Sequence, residues 1–167
     1  YNFNVPHTGK FLVFVTGAGG GSAFAMHTVT GYSNSSSGGN AGGTAIKFID
    51  LVEGDIINVV VGGGGSALAY TGSNYVTQAG TGESSSFGGY CSATGGVGGY
   101  SPPIPTADPA GQTAAFSNIW KAIGVGGDIN ISGGWGMSGH LINTSAAIAG
   151  TGGASFWAGG GGAGFSH

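Results

Sequence analysis

Apolar residues along this chain come in short bursts, and no long stretch keeps helical spacing. The densest burst is Lys10-Phe-Leu-Val-Phe-Val-Thr16, where Phe11, Val13 and Val15 alternate with Leu12 and Phe14. Aromatic and β-branched side chains on both faces predict a strand covered on both sides. Thr44–Val52 and Asp55–Val61 predict two more strands, with Glu53-Gly54 between them as a tight hairpin turn. Asp128-Ile-Asn-Ile-Ser132 alternates and sets Ile129 and Ile131 on one face. One short helix or turn is predicted over Ala114–Ile123.

Between the bursts lie islands of glycine at Gly17–Gly21, Gly38–Gly43, Gly62–Gly65, Gly88–Gly99, Gly124–Gly136 and Gly150–Gly164. The 40 glycines among 167 residues keep no Gly-X-Y period, which excludes collagen. An ordered glycine loses more backbone entropy than any other residue, so ordered islands need a compensating source of free energy. Extended polyproline-II-like segments stacked side by side supply one. Without Cβ atoms, neighbouring backbones approach closely and hydrogen-bond laterally. Gly/Ser tracts usually serve as flexible linkers. Aromatic residues in or beside the islands (Phe87, Tyr90, Tyr100, Trp135, Phe156, Trp157 and Phe165) favour packed segments instead. On this basis Gly63→Val should damage folding. The expected fold is all-β: β-sandwich-like strands, stacked glycine-rich segments and long exposed loops, in one domain over residues 1–167.

Charge changes the picture by its scarcity. Charged residues are 5% of the chain, against roughly 25% in ordinary globular proteins. There is no arginine, and the basic side chains are Lys10, Lys47 and Lys121, so neither a phosphate-tracking nucleic-acid surface nor an anionic-membrane patch is expected. Hydrophobic residues at 40% and aromatics at 11% argue against disorder. The longest apolar runs fall far short of a bilayer span, so no membrane insertion is expected. Cys91 is the lone cysteine, which excludes an intrachain disulfide, and is expected to be a small buried hydrophobe.

Four tracts of different character separate the islands: Ser22–Ser37, Ser66–Gln78, Tyr100–Ile123 and Met137–Ala149. Long irregular connections in a compact domain are usually functional. These are rich in Tyr, Ser, Gly and Asn, the composition of antibody paratopes. Flat aromatic faces also stack on sugar rings, while hydroxyls and amides satisfy sugar hydroxyls. The candidate receptor-binding residues are Tyr32, Tyr70, Tyr75, Tyr100 and Trp120, each with a local core role as the alternative. Trp135, Phe156 and Trp157 lie in islands and are expected in the scaffold.

Catalysis and cofactors find little support. The acids Asp50, Glu53, Asp55, Glu83, Asp108 and Asp128 are scattered, although a glycosidase carboxylate pair stays open as an alternative. His7, His27, His140 and His167 show no metal-ligand spacing. Matches to glycine-rich nucleotide motifs arise by chance at this glycine frequency. No enzyme activity, metal or cofactor is expected.

In order and spacing the chain resembles the glycine-rich domain at the tips of bacteriophage tail fibres. The matching features are Phe3-Asn-Val-Pro6 leading into Phe11–Val15 and Gly17-Ala-Gly-Gly-Gly21; Leu51-Val-Glu-Gly-Asp-Ile-Ile-Asn-Val-Val-Val-Gly62; Gly82-Glu-Ser-Ser-Ser-Phe-Gly88; and Gly127-Asp-Ile-Asn-Ile-Ser-Gly-Gly134 before Gly152-Gly-Ala-Ser-Phe-Trp-Ala-Gly-Gly-Gly162. The distal adhesins of T-even phages are similar in layout. The resemblance implies a stacked polyglycine scaffold whose loops at one end touch a bacterial surface receptor, a polysaccharide or an outer-membrane protein. It implies a virion location at the fibre tip, as a C-terminal fragment or processed part of a larger fibre protein. It also implies either a homotrimer or a single chain capping a trimeric fibre. Relatives often close with a further apolar strand, whereas this chain stops at His167, so that strand is expected to be missing or supplied elsewhere. Two other classes stay open: a structural glycine-rich surface or filament protein without a specific ligand, and an ice-binding protein.

Overall fold

A computed structural model describes residues 1–23, 36–68, 78–100, 121–143, 146–148 and 150–157. Among these residues the fold is all-β, with ten strands and no helix. In chain order they are β1 (Asn2–Asn4), β2 (Gly9–Thr16), β3 (Thr44–Leu51), β4 (Ile56–Val60), β5 (Ser85–Phe87), β6 (Cys91–Ala93), β7 (Gly124–Val125), β8 (Ile129–Ile131), β9 (His140–Asn143) and β10 (Ala146–Ile148). Two antiparallel sheets, β1-β4-β5-β6-β7 and β2-β3-β8, pack as a sandwich, and β9 and β10 form a separate hairpin. The predicted helix over Ala114–Ile123 lies almost entirely outside the described residues; its described end, 121–123, is not helical.

Alternation along the strands builds the core. Val15 and Ala45 from one sheet meet Ile57, Phe87, Cys91 and Ala93 from the other, with Val5 and Leu51 closing one end. Full burial of side chains such as Leu51, Ile57 and Phe87 contributes about 1.5–3 kcal/mol each. Phe3 lies edge-on to Phe11 at 6.4 Å and tilts against Phe87 at 5.8 Å. Strand β2 departs from its expected double covering. Phe11, Val13 and Val15 face the core, but Leu12 stays 49% exposed and Phe14 41%. Only the inner face of this sheet meets another sheet.

The Glu53-Gly54 turn forms as predicted, but it is a corner and not a hairpin. Gly54 adopts φ 86°, a left-handed conformation that favours glycine, and Asp55 N–H donates to the Val52 carbonyl at 3.1 Å. Strands β3 and β4 then diverge into different sheets, β3 pairing with β2 and β8, and β4 with β1 and β5. A second crossing, between β1 and β2, locks onto the first. Gly54 N–H donates to Val5 O, Val5 N–H to Asp55 O, and Glu53 N–H to Thr8 Oγ1. These bonds use the groups that a hairpin partner would otherwise take.

Beyond the sandwich the glycine islands pack as a bundle of segments: 17–23, 36–43, 62–68, 78–84, 94–100, 132–139 and 150–154. Gly17, Gly20 and Ala23 donate to the carbonyls of Gly43, Asn40 and Ser37, while Ala18 and Gly21 donate to Glu83 and Gly80. Gly43, Asn40 and Ser37 in turn donate to Thr94, Val97 and Tyr100, and Ala41 and Gly38 to Gly134 and Met137. Donors to one neighbour recur every third residue, the repeat of a chain with about three residues per turn. Close approach makes glycine obligatory inside this lattice. A Cβ on Gly20 would lie 2.2 Å from the Val97 carbonyl oxygen, and one on Gly21 2.0 Å from that of Ser66. Gly63 is different: its Cβ would point outward and meet nothing nearer than the Glu83 carboxylate at 3.5 Å, although Cβ atoms on Gly62 and Gly65 of the same segment would meet backbone oxygens at 2.5 and 2.0 Å. The expected damage from a side chain at Gly63 therefore has no steric basis.

Cys91 is 4% exposed, and burial pushes its thiol above the ordinary value, with nearby Lys47 acting in the opposite direction.

Gly20→Ala is expected to lower the melting temperature by more than ~8 °C, because a backbone carbonyl must move. Gly64→Ala, whose Cβ meets nothing within 4 Å, should stay within ~2 °C of the parent. Equal effects in differential scanning calorimetry would remove the packed-glycine account. Cys91 should resist iodoacetamide in native buffer and react fully in denaturant, followed by mass spectrometry.

Candidate functional site

Following the bundle's hydrogen bonds outward from the sheets leads to one common level. Ala23 N–H donates to Ser37 O and Leu68 N–H to Ser22 O. Ser37 N–H donates to Tyr100 O, and Gln78 bridges to Tyr100. Ser36 O accepts from both Gly139 and Gly150. The opposite level, beside the sandwich, joins Gly17 to Gly43, Gly43 to Thr94 and Thr94 to Ile123. Six residues separate Gly17 from Ala23, so the two levels lie about 19 Å apart at a rise of about 3.1 Å per residue.

Three of the four tracts picked out by composition therefore leave and rejoin the bundle at the same far end. Their anchors are Ala23 and Ser36, Leu68 and Gln78, and Gly139 and Gly150. The Tyr100–Ile123 tract leaves at this end but rejoins beside the sandwich, where Gly133 N–H donates to Ala122 O. The tract from Met137 was expected to be an irregular loop. It contains the β9–β10 hairpin, with Ala146 opposite Asn143 and Ile148 opposite His140, and a register shift between Ala146 and Ala147.

Short polar side chains tie the segments together, at this end and midway along the bundle. Ser37, with 0% exposure, accepts the Tyr100 N–H at Oγ (2.7 Å) and donates back to the Tyr100 carbonyl (3.3 Å). Asn40, 2% exposed, accepts the Gly136 N–H at Oδ1 (2.9 Å). Both bonds replace water at groups whose desolvation would otherwise cost about 1–3 kcal/mol. Their sequence signal is a small polar residue at or inside a glycine island, which composition alone blurs into loop.

Of the candidate contact residues, Tyr100 is placed by the structure: its backbone is clamped by Ser37 and its side chain is half-buried. Tyr32, Tyr70, Tyr75 and Trp120 lie outside the described residues. The first three fall in tracts anchored at the far end. Trp120 precedes Lys121, whose Nζ sits 5.3 Å over the Trp135 ring. The island aromatics do join the scaffold, but at its surface. Trp135 is 51% exposed, Phe156 47% and Trp157 60%.

Three of the five described carboxylates are engaged in structure. Asp50 pairs with Lys10 at 3.0 Å, Asp128 accepts the Phe48 N–H at 2.7 Å, and Glu83 accepts the Gly63 N–H at 3.0 Å. His7 stacks on Phe11 with ring centres 5.0 Å apart. No three His, Cys, Asp or Glu side chains gather as metal ligands among the described residues.

A sandwich that continues into a bundle of glycine segments defines a class of protein, glycine-rich with an all-β base. The chain belongs to the glycine-rich domain family, whose model matches residues 1–167. No curated protein matches it.

Ser37→Ala strands a buried amide and is expected to cost about 1–3 kcal/mol. The Tyr100 amide should then exchange hydrogen at least ~5-fold faster, with strand amides such as Ala45 little changed. Uniform acceleration throughout the chain would mean that Ser37 supports the whole fold and not this end alone.

Proposed function

We propose that this domain is a receptor-recognition module at the tip of a phage tail fibre, attaching the virion to a bacterial surface polysaccharide or outer-membrane protein. The observation that carries the proposal is the shared far end. The tracts containing Tyr32, Tyr70 and Tyr75, the start of the tract after Tyr100 and the β9–β10 hairpin are all anchored there. A rigid scaffold presenting adaptable segments at one end suits recognition, since ordering is prepaid by the scaffold and not by the ligand. Tyr, Ser, Gly and Asn in those tracts suit a neutral, hydroxyl-rich or mixed surface better than a charged one. Modest affinity per site becomes firm attachment when several copies engage one cell. The resemblance of the chain's motif order to tail-fibre tips supports this role.

The test is binding of fluorescent domain, presented multivalently, to a panel of bacterial strains, with unlabelled domain as competitor of phage adsorption. Saturable, strain-restricted binding is expected, moving to a new strain set when tracts 24–35 and 69–77 are exchanged with those of a relative. Absence of binding across the panel would favour a purely structural role. Shortening of a host polysaccharide on incubation, abolished by one carboxylate replacement, would make the domain an enzyme.

A further inference from the structure

The outward face of the β2-β3-β8 sheet carries a continuous apolar surface. Leu12 stands opposite Phe48, and Phe14 opposite Ile46, which is opposite Ile129, so these side chains share one face. Exposure is 49% at Leu12, 41% at Phe14, 62% at Phe48 and 52% at Ile129, while Ile46 in their midst is buried at 8%. Phe156 and Trp157 extend the surface by packing on Phe14, at centroid distances of 6.2 and 5.2 Å. Trp157 is held in place by its Nε1–H, which donates to Thr16 Oγ1 at 3.0 Å. The outward charges on β2 and β3, Lys10 and Asp50, neutralise one another at the far end of the sheet.

Low overall charge does not account for this face, because the other sheet treats its outward positions differently. There Asn2, Asn4, Asn58, Ser86 and Ser92 interleave with Ile56, Val60 and Val125. The chain solvates one outward face with amides and hydroxyls and leaves the other apolar. Six large side chains, each about half exposed, add up to roughly 600 Å², at the top of the range for the largest patch on a monomer. With a rim, that approaches the ~800 Å² per partner of a standard protein interface.

We propose that this face is an interface between two copies of the chain, packed sheet on sheet about a two-fold axis. Phe156 and Trp157 pack on Phe14, and Leu12, Phe48 and Ile129 lie on the same face, so one contiguous patch is available. A two-fold axis uses that patch twice and doubles the apolar area covered. A neutral, apolar surface gives a charged partner nothing to recognise and suits an equally uncharged one, which a second copy is. The proposal does not rest on receptor recognition.

Sedimentation equilibrium over about 1–100 μM tests it, comparing the parent with Phe48→Ser, Ile129→Asn and, as a control on the other sheet, Ile56→Ser. Phe48 and Ile129 are mostly solvent-facing, so both variants should keep the parent's circular dichroism and melting temperature. A parent dimer is expected, weakened roughly 10–100-fold by each face variant because each change occurs twice in the interface, and untouched by Ile56→Ser. A parent that stays monomeric throughout overturns the proposal. So does a dimer indifferent to both face variants, or an assembly of three or more copies.

Discussion

Backbones lying closer than any side chain permits are the constraint on which the rest depends. Fixing one residue's backbone costs about 1–2 kcal/mol, and a lateral hydrogen bond returns about 0.5–1.5 kcal/mol net. A glycine bundle thus holds no surplus on those terms alone. Dense packing, in which Gly17, Gly20 and Gly21 sit against neighbouring carbonyls, adds dispersion contacts and keeps water away from the bonds. The sandwich adds the rest. It delivers the segments already aligned, since β2 runs into 17–23, β3 is fed by 36–43, and β6 runs into 94–100.

Alignment begins at the paired corners. Val5–Thr8 and Val52–Asp55 carry the chain between the two sheets at one place and satisfy each other's backbone groups. The sheets are thereby fixed relative to one another at the end remote from the bundle. The Leu51, Ile57 and Phe87 side chains fill the space between them. Bundle contacts such as Ala18 to Glu83 and Ala41 to Gly134 join residues far apart in sequence. Such non-local closure is slow, and the sandwich shares it, since Thr44 of β3 pairs with Ile131 of β8.

Where β-branched and aromatic residues were dense or alternated with polar ones, the strands were legible: β2, β3, β4 and β8 fall within a residue of their predicted bounds. Their pairing was not, because Glu53-Gly54 reads the same whether the chain reverses within a sheet or turns into another. Strands β5 and β6 were hidden inside serine- and glycine-rich sequence. They exist through pairing with β4 and β7, not through the propensity of Ser85, Ser86 or Ser92. Composition separated tracts from islands only in part, since the islands Gly88–Gly99 and Gly124–Gly136 also hold β6, β7 and β8. It could not reveal that three tracts share both anchors at one end, nor that the fourth is anchored through Tyr100 at one end and Ala122 at the other. Those facts belong to the lateral bonds of Ser36, Ser37 and Tyr100.

Each of those anchors has a bearing on how such a chain diversifies. Ala23 and Ser37 are bonded directly to one another, and Gly139 and Gly150 meet at the same Ser36 carbonyl, so the ends of these tracts stay together whatever lies between them. Doubling the length of a tract closed in this way adds only about 0.6 kcal/mol of closure entropy. Insertions, deletions and wholesale exchange within a tract leave the lattice untouched, while a single substitution at Gly20 disturbs it. Change is cheap where the molecule meets its surroundings and costly everywhere the backbones touch.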